Sequence, residues 1–223
     1  MELVTIIGSP HGLKGNTGVL LQALIDGARK AGANVTTFSL AEMDVKPCND
    51  CGLCHKTGDC SGRDEFDAIK QAMLDADGIV LASPNYIFSV SAQMKALMDR
   101  CCGLLHIQGL EGKYAAAVVT SGGGESEVVE NYLLRFLRHL GCWTVGSVGA
   151  EARQLLNNPT RAERLNEAAN LGKKLADAIR EKRTYPGQQI DREAFYERMK
   201  ALVVSRKAEW PYEYEYWKAA ERL

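Results

Sequence analysis

A chain of 223 residues, 46% hydrophobic, fits one large domain or a domain with an appendage, with ample apolar content for a core. Its 27 lysines and arginines nearly balance 28 aspartates and glutamates, which excludes the one-signed field that nucleic acid or an acidic membrane surface requires. No apolar run approaches the roughly 18 residues of a membrane helix, and Met1-Glu2-Leu3-Val4 lacks the basic leader of a signal peptide, so a cytoplasmic location without nucleic-acid or membrane partners is expected.

Strand-like and helix-like segments alternate along the chain. Leu3 to Ile7 is a short apolar run bounded by Gly8, as a strand buried on both faces should be. A glycine-rich loop, Gly8 to Gly15, leads into a helix with Leu20, Leu24, Ala28 and Ala31 on one face. Val35 to Leu40 is a second, less apolar strand, followed by a cysteine-rich loop over 47–62. Phe66, Ile69, Met73 and Ala76 keep helical spacing, and Ile79 to Ala82 makes a third strand. Val90, Met94, Leu97, Met98 and Cys101 mark a helix, Tyr114 to Thr120 a fourth strand, Val129 to Leu140 another helix, and Thr144 to Val148 a fifth strand. Thr160-Arg161-Ala162-Glu163 has the capping-box pattern and opens a long helix with Leu165, Ala168, Gly172, Leu175 and Ile179 on its apolar face. Five such units predict a parallel sheet covered by helices on both sides. Beyond Tyr185 the pattern changes: Asp191 to Arg206 reads as an amphipathic helix, and Trp210 to Trp217 places aromatics on alternate positions after an extended start at Pro211.

In an open parallel sheet, ligands sit outside the carboxyl ends of the strands. Gly8-Ser9-Pro10-His11-Gly12-Leu13-Lys14-Gly15-Asn16-Thr17 follows the first strand. It is not a Walker loop, because Lys14 precedes Gly15 and no G-K-[ST] is present, and its glycines miss the G-x-G-x-x-G spacing. Hydroxyls and an amide at a helix start suit a lone monophosphate ester; a plain tight turn is the alternative. Ser83 to Ser91 follows the third strand with Tyr86, Ile87 and Phe88, which either cover a flat ring or cap the core. Thr120-Ser121-Gly122-Gly123-Gly124-Glu125 follows the fourth, with glycines that admit a close ligand.

GSPHGLKGNT, SPNYIFSVSAQMKALMDR and TSGGG resemble the three flavin-contacting loops of NAD(P)H-dependent FMN reductases. The resemblance implies an α/β, flavodoxin-like, doubly wound sheet of order 2-1-3-4-5 and an FMN-binding domain over 1–183; the change of pattern near Tyr185 marks a C-terminal helical and aromatic extension over 184–223. It implies that Ser9, His11, Asn16 and Thr17 hold the FMN phosphate. Pro84, Asn85, Tyr86, Ile87 and Phe88 would lie along the isoalloxazine and ribityl chain, and Ser121, Gly122 and Gly123 would close the pyrimidine side. Asn85 departs from the small or apolar residue usual there. NAD(P)H is the co-substrate the family implies.

Cys48, Cys51, Cys54 and Cys60 fall within thirteen residues. Clustered thiols in a cytoplasmic chain read as metal-binding or catalytic before they read as disulfides. C-x₂-C-x₂-C wraps three corners of a [4Fe-4S] cubane, with Cys60 as the fourth thiolate, whereas structural zinc takes knuckles a dozen or more residues apart. The spacing is similar to the compact motif of iron-sulfur flavoproteins, a branch of the same family. A redox-active or idle thiol loop is the alternative, with His55, Lys56 and Asp59 as charged neighbours on an exposed loop.

Cys101, Cys102 and Cys142 are expected in the core, as are Met94 and Met98. His106 and His139 are assigned no role, and Arg100 is expected to cap a helix end. The aromatic tail must lie against this subunit's helices or a neighbour's, and a homodimer or homotetramer with the tail in the contact is expected. The expected activity is FMN-dependent electron transfer between NAD(P)H or a protein donor and a flavin, quinone or other acceptor, with no side chain singled out as catalytic. The rival functions are a flavodoxin-like electron carrier and a redox-sensing regulatory module.

Overall fold

Five strands form one parallel sheet in the order β2-β1-β3-β4-β5 in a computed structural model that describes residues 1–223. They are β1 (Glu2–Ile7), β2 (Asn34–Ser39), β3 (Gly78–Pro84), β4 (Tyr114–Ser121) and β5 (Trp143–Glu151). β3 and β4 are buried along their whole length, as interior strands of a doubly wound sheet must be. The β2 edge is only half-buried, which explains its mixed composition. Side chains alternate by two: Val4, Ile6, Ile79 and Leu81 enter one core, Leu3, Ile7, Val80 and Ala82 the other. The sheet therefore has the flavodoxin-like order that the resemblance implies.

Helix α1 (Asn16–Lys30) and helix α8 (Asn158–Glu181) cover one face. They meet backbone to backbone, since a Cβ on Gly27 would stand 2.0 Å from the Ala169 carbonyl oxygen, and one on Gly172 would stand 2.0 Å from that of Leu24. α3 (Phe66–Asp75), α4 (Ala92–Arg100) and α6 (Ser126–His139) cover the other. Short helices α2 (Leu53–Thr57), α5 (Cys102–His106) and α7 (Ala152–Leu156) complete this part of the chain.

The capping box is displaced from its predicted place. α8 starts at Asn158 with Pro159 in its first turn, and the Thr160 hydroxyl donates to the carbonyls of Gln154 and Asn157. The reciprocal pair that is present joins Glu151 and Gln154 at the start of α7.

The tail departs more strongly from expectation. α9 (Pro186–Ser205) begins five residues before Asp191, and Pro211 opens a helix, α10 (Pro211–Ala219). A proline at the first helical position loses no hydrogen bond and has the right φ. α10 packs on its own chain: Trp217 has no solvent exposure and donates its indole N–H to the His106 carbonyl at 3.1 Å. This subunit's own side chains therefore cover Trp217. No helix is long and apolar enough to cross a membrane.

Candidate functional site

The loops after β1, β3 and β4 come together at the carboxyl edge of the sheet. Ser9, Thr17, Pro84 and Ser121 are buried there, Asn85 is half-buried, and His11, Asn16, Gly122 and Gly123 are exposed. Ser91 ties two of these loops: its hydroxyl donates to the Gly8 carbonyl at 2.5 Å and accepts the Met94 N–H as the N-cap of α4. The Thr17 and Thr120 hydroxyls, 2.6 Å apart, tie α1 to β4.

Two features of this rim point to a ligand. α1 opens after Gly15, which has no side chain to satisfy the first N–H groups of the helix; these groups and the helix dipole favour an anion. The Ser121 hydroxyl and the Asn85 side-chain carbonyl are buried with no hydrogen-bond partner, a rare and costly condition in a folded chain.

The turn over Tyr86–Ser89 bears on both readings of its aromatics. Ile87 and Phe88 both have positive φ, 50° and 62°, between the paired Tyr86 and Ser89. Such a turn suits glycine and asparagine, and a β-branched residue there costs about 1 kcal/mol or more. In this turn Ile87 is 90% and Phe88 67% exposed, beside a 45% exposed Tyr86. These side chains therefore do not cap the core; they stand out beside the open rim at Gly122 and Gly123, where an added Cβ would meet nothing. The 850 Å³ groove between β5, α6 and α8 touches this rim only at Gly124 and Glu125.

The second region lies at the far end of α4, about 13 Å along the helix from Ser91. Cys48, Cys51, Cys54 and Cys60 line one cavity of about 460 Å³, and all are free thiols. A hydrogen bond from Ser61 lowers the Cys51 thiol, whereas burial, reinforced by Cys102 and Glu213, pushes Cys54 up to about 11.

Arg100 is not the helix cap predicted. Its buried guanidinium donates to Asp64, to the Lys46 and Gly62 carbonyls at 3.3 and 3.2 Å, and to Cys60 Sγ at 3.1 Å. It therefore clasps the two ends of the cysteine loop. Burial opposes ionisation of Asp64, and the guanidinium overrides it and holds that carboxyl below its usual range.

Cys101 and Cys142 are buried as expected, their thiols pushed up to about 12 by burial. Cys102 instead lines the cysteine cavity. His55, expected on an exposed loop, is half-buried, and its Nδ1 lies 2.6 Å from Glu213 of α10. His106, expected to be idle, has Nδ1 at 3.1 Å from the same carboxylate and Nε2 at 3.9 Å from Cys102 Sγ. Burial opposes the charged form of His106, but Cys102 and Glu213 together raise it to about 9. The indole of Trp210 stacks on both imidazoles. The only local signal for this group is the i, i+4 spacing of Cys102 and His106 on α5, because the other members come from residues 55, 210 and 213.

Comparisons with known proteins agree with this architecture. The family model described as NADPH-dependent FMN reductase matches residues 1–154. The chain is 31% identical over 219 residues to an iron-sulfur flavoprotein of Archaeoglobus fulgidus, with 98% of each chain covered. It is 32% identical over 196 residues to an iron-sulfur flavoprotein of Methanocaldococcus jannaschii, covering 81% of this chain and 98% of that one. Among solved structures, a flavone reductase gives a TM-score of 0.65 at 18% identity, covering 81% of this chain and 63% of that chain. A flavodoxin, WrbA-like protein from Agrobacterium tumefaciens gives 0.57 at 17%, covering 82% and 98%. These two likenesses show the fold. From its matched residues and its near full-length relatives, the chain belongs to the NADPH-dependent FMN reductase family of oxidoreductases.

Proposed function

We propose that this chain is an FMN-dependent oxidoreductase that passes electrons between NAD(P)H or a protein donor and a flavin, quinone or similar acceptor, and that its cysteine loop holds a [4Fe-4S] cluster. The observation that carries the FMN assignment is the uncapped start of α1 beside two orphaned polar groups, Ser121 Oγ and Asn85 Oδ1. A phosphate ester and a polar ring edge supply the partners these groups lack, so the rim fits the cofactor. When bound, FMN takes up electrons in pairs and releases them singly.

The protein's part is to bind and orient. Ser9, His11, Asn16, Thr17 and the free N–H groups of α1 hold the phosphate. Pro84, Asn85 and the strained Tyr86–Phe88 turn cover the ring, and Ser121, Gly122 and Gly123 bring backbone against its polar edge. The exposed Ile87 and Phe88 give an apolar approach surface for a second planar molecule.

Four free thiols around one cavity fit a cubane, and relatives named iron-sulfur flavoprotein over nearly the full length support that reading. Cys48, Cys51, Cys54 and Cys60 would hold the cluster, which supplies one-electron transfer. Arg100 keeps the loop closed and donates to the Cys60 sulfur. The 184–223 extension serves as the cover of this loop, and the assembly is a homodimer or homotetramer.

Anaerobic mixing with NADPH tests the activity. Bleaching of the flavin band and turnover with a quinone support an oxidoreductase; no bleaching assigns the chain to carriers that never meet pyridine nucleotide. Light scattering that gives a single-chain mass removes the oligomer.

A further inference from the structure

We propose a second, mononuclear metal site, for a divalent cation of the zinc class, held by His55, Cys102 and His106 and separate from the four loop cysteines. One ring nitrogen of each histidine and the Cys102 sulfur lie within 4.8 Å of one another. Tetrahedral zinc with bonds of about 2.0–2.3 Å needs donor separations of about 3.5 Å. His106 Nε2 and Cys102 Sγ already stand 3.9 Å apart, so a side-chain adjustment of about 1 Å at His55 completes the set.

The buried carboxylate makes the group more than a chance cluster. Glu213 has no solvent exposure, and it faces Nδ1 of both histidines. Donation of both Nδ1 protons to it fixes both tautomers and leaves each Nε2 lone pair to a metal. This is the outer-shell carboxylate–histidine arrangement that orients imidazole ligands and raises their basicity. Trp210 lies flat on the two rings and screens them from water. Two imidazoles and a thiolate are a borderline-soft donor set, suited to zinc and not to calcium or magnesium. Its ligands come from α2 and α5 and its outer carboxylate from α10, so the ion fastens the cysteine loop to the helix behind it and locks the C-terminal helix over both.

The full chain, purified without air so that the loop thiols keep their iron, is dialysed and titrated with Zn²⁺ alone, and its zinc K-edge X-ray absorption is recorded. The expected result is a single tight equivalent with mixed neighbours, nitrogen at about 2.0–2.1 Å and one sulfur at about 2.3 Å. Cys102→Ser and His106→Gln should abolish that equivalent, whereas Glu213→Gln keeps the ligands and weakens affinity about 10–100-fold. A Cys48→Ser, Cys51→Ser, Cys60→Ser variant should retain it. A shell of sulfur alone, absence of tight binding, or an equivalent lost in the triple variant yet kept in Cys102→Ser overturns the site. The wild-type spectrum decides even if a variant fails to fold.

Discussion

Replacing Arg100 by methionine removes the one cation inside the cysteine clasp while keeping an apolar stem of similar length. Arg100 and Asp64 have side-chain exposures of 1% and 0%, so the pair is buried, and the arginine also serves two backbone carbonyls and the Cys60 sulfur. An exposed pair would be worth at most about 1 kcal/mol. Here the change strands a carboxylate that still accepts the Lys46 and Phe66 N–H groups, and breaking a buried pair from one side costs about 3–5 kcal/mol. The lost cation–π contact with Phe66, 4.4 Å from the ring centre, adds about 1 kcal/mol at most. Urea unfolding followed by tryptophan fluorescence reads the loss as a shift of the midpoint at constant slope. Combining Arg100→Met with Asp64→Asn should cost clearly less than the two singles summed, by about 1–3 kcal/mol, and the single variant should hold less iron. A single variant within about 1 kcal/mol of wild type, additive with Asp64→Asn and fully loaded with iron, would refute the clasp.

Four further outcomes are expected. Gly172→Ala forces a methyl onto the Leu24 carbonyl, prises α8 from α1, and should lower the melting temperature by an amount equivalent to about 1–3 kcal/mol or more. Ile87→Gly relieves a positive-φ strain, so the flavin-free chain should gain about 1 kcal/mol while FMN affinity measured by fluorescence quenching falls. His139 is pushed down from 6.5 to about 4 by burial and the nearby Arg135, Arg138 and Arg198. Its contribution is present above pH 6.5 and drains as pH falls toward 4, because the unfolded state takes the proton first; acid titration of wild type against His139→Gln should show a difference of about 1–2 kcal/mol after solvent screening. Trp217→Ala should cost about 3–5 kcal/mol and raise thiol reactivity across the cysteine loop, read with a chromogenic disulfide.

The sheet was legible because β1, β3 and β4 are short, mostly apolar runs ended by Gly8, by Pro84 and by the Ser121–Gly124 loop. The rim was legible because each of its loops follows its strand directly in sequence. What stayed hidden depends on partners far along the chain. Arg100 looks like an ordinary C-terminal helix residue until Asp64, Lys46 and Gly62 surround it. Cys102 and His106 carry only an i, i+4 spacing, and the carboxylate that gives them meaning is 107 residues beyond His106. Pro211 is ambiguous in the sequence because proline opens extended segments and helices alike, and only the burial of Trp217 and Glu213 selects the helix.

The most direct test of the account is elemental and flavin analysis of the chain purified without air. One FMN with about four irons and four sulfides per chain, the metal lost in Cys51→Ser and the flavin retained, is the predicted result. A colourless chain that stays colourless with excess FMN, and that carries no iron after anaerobic reconstitution, would contradict it.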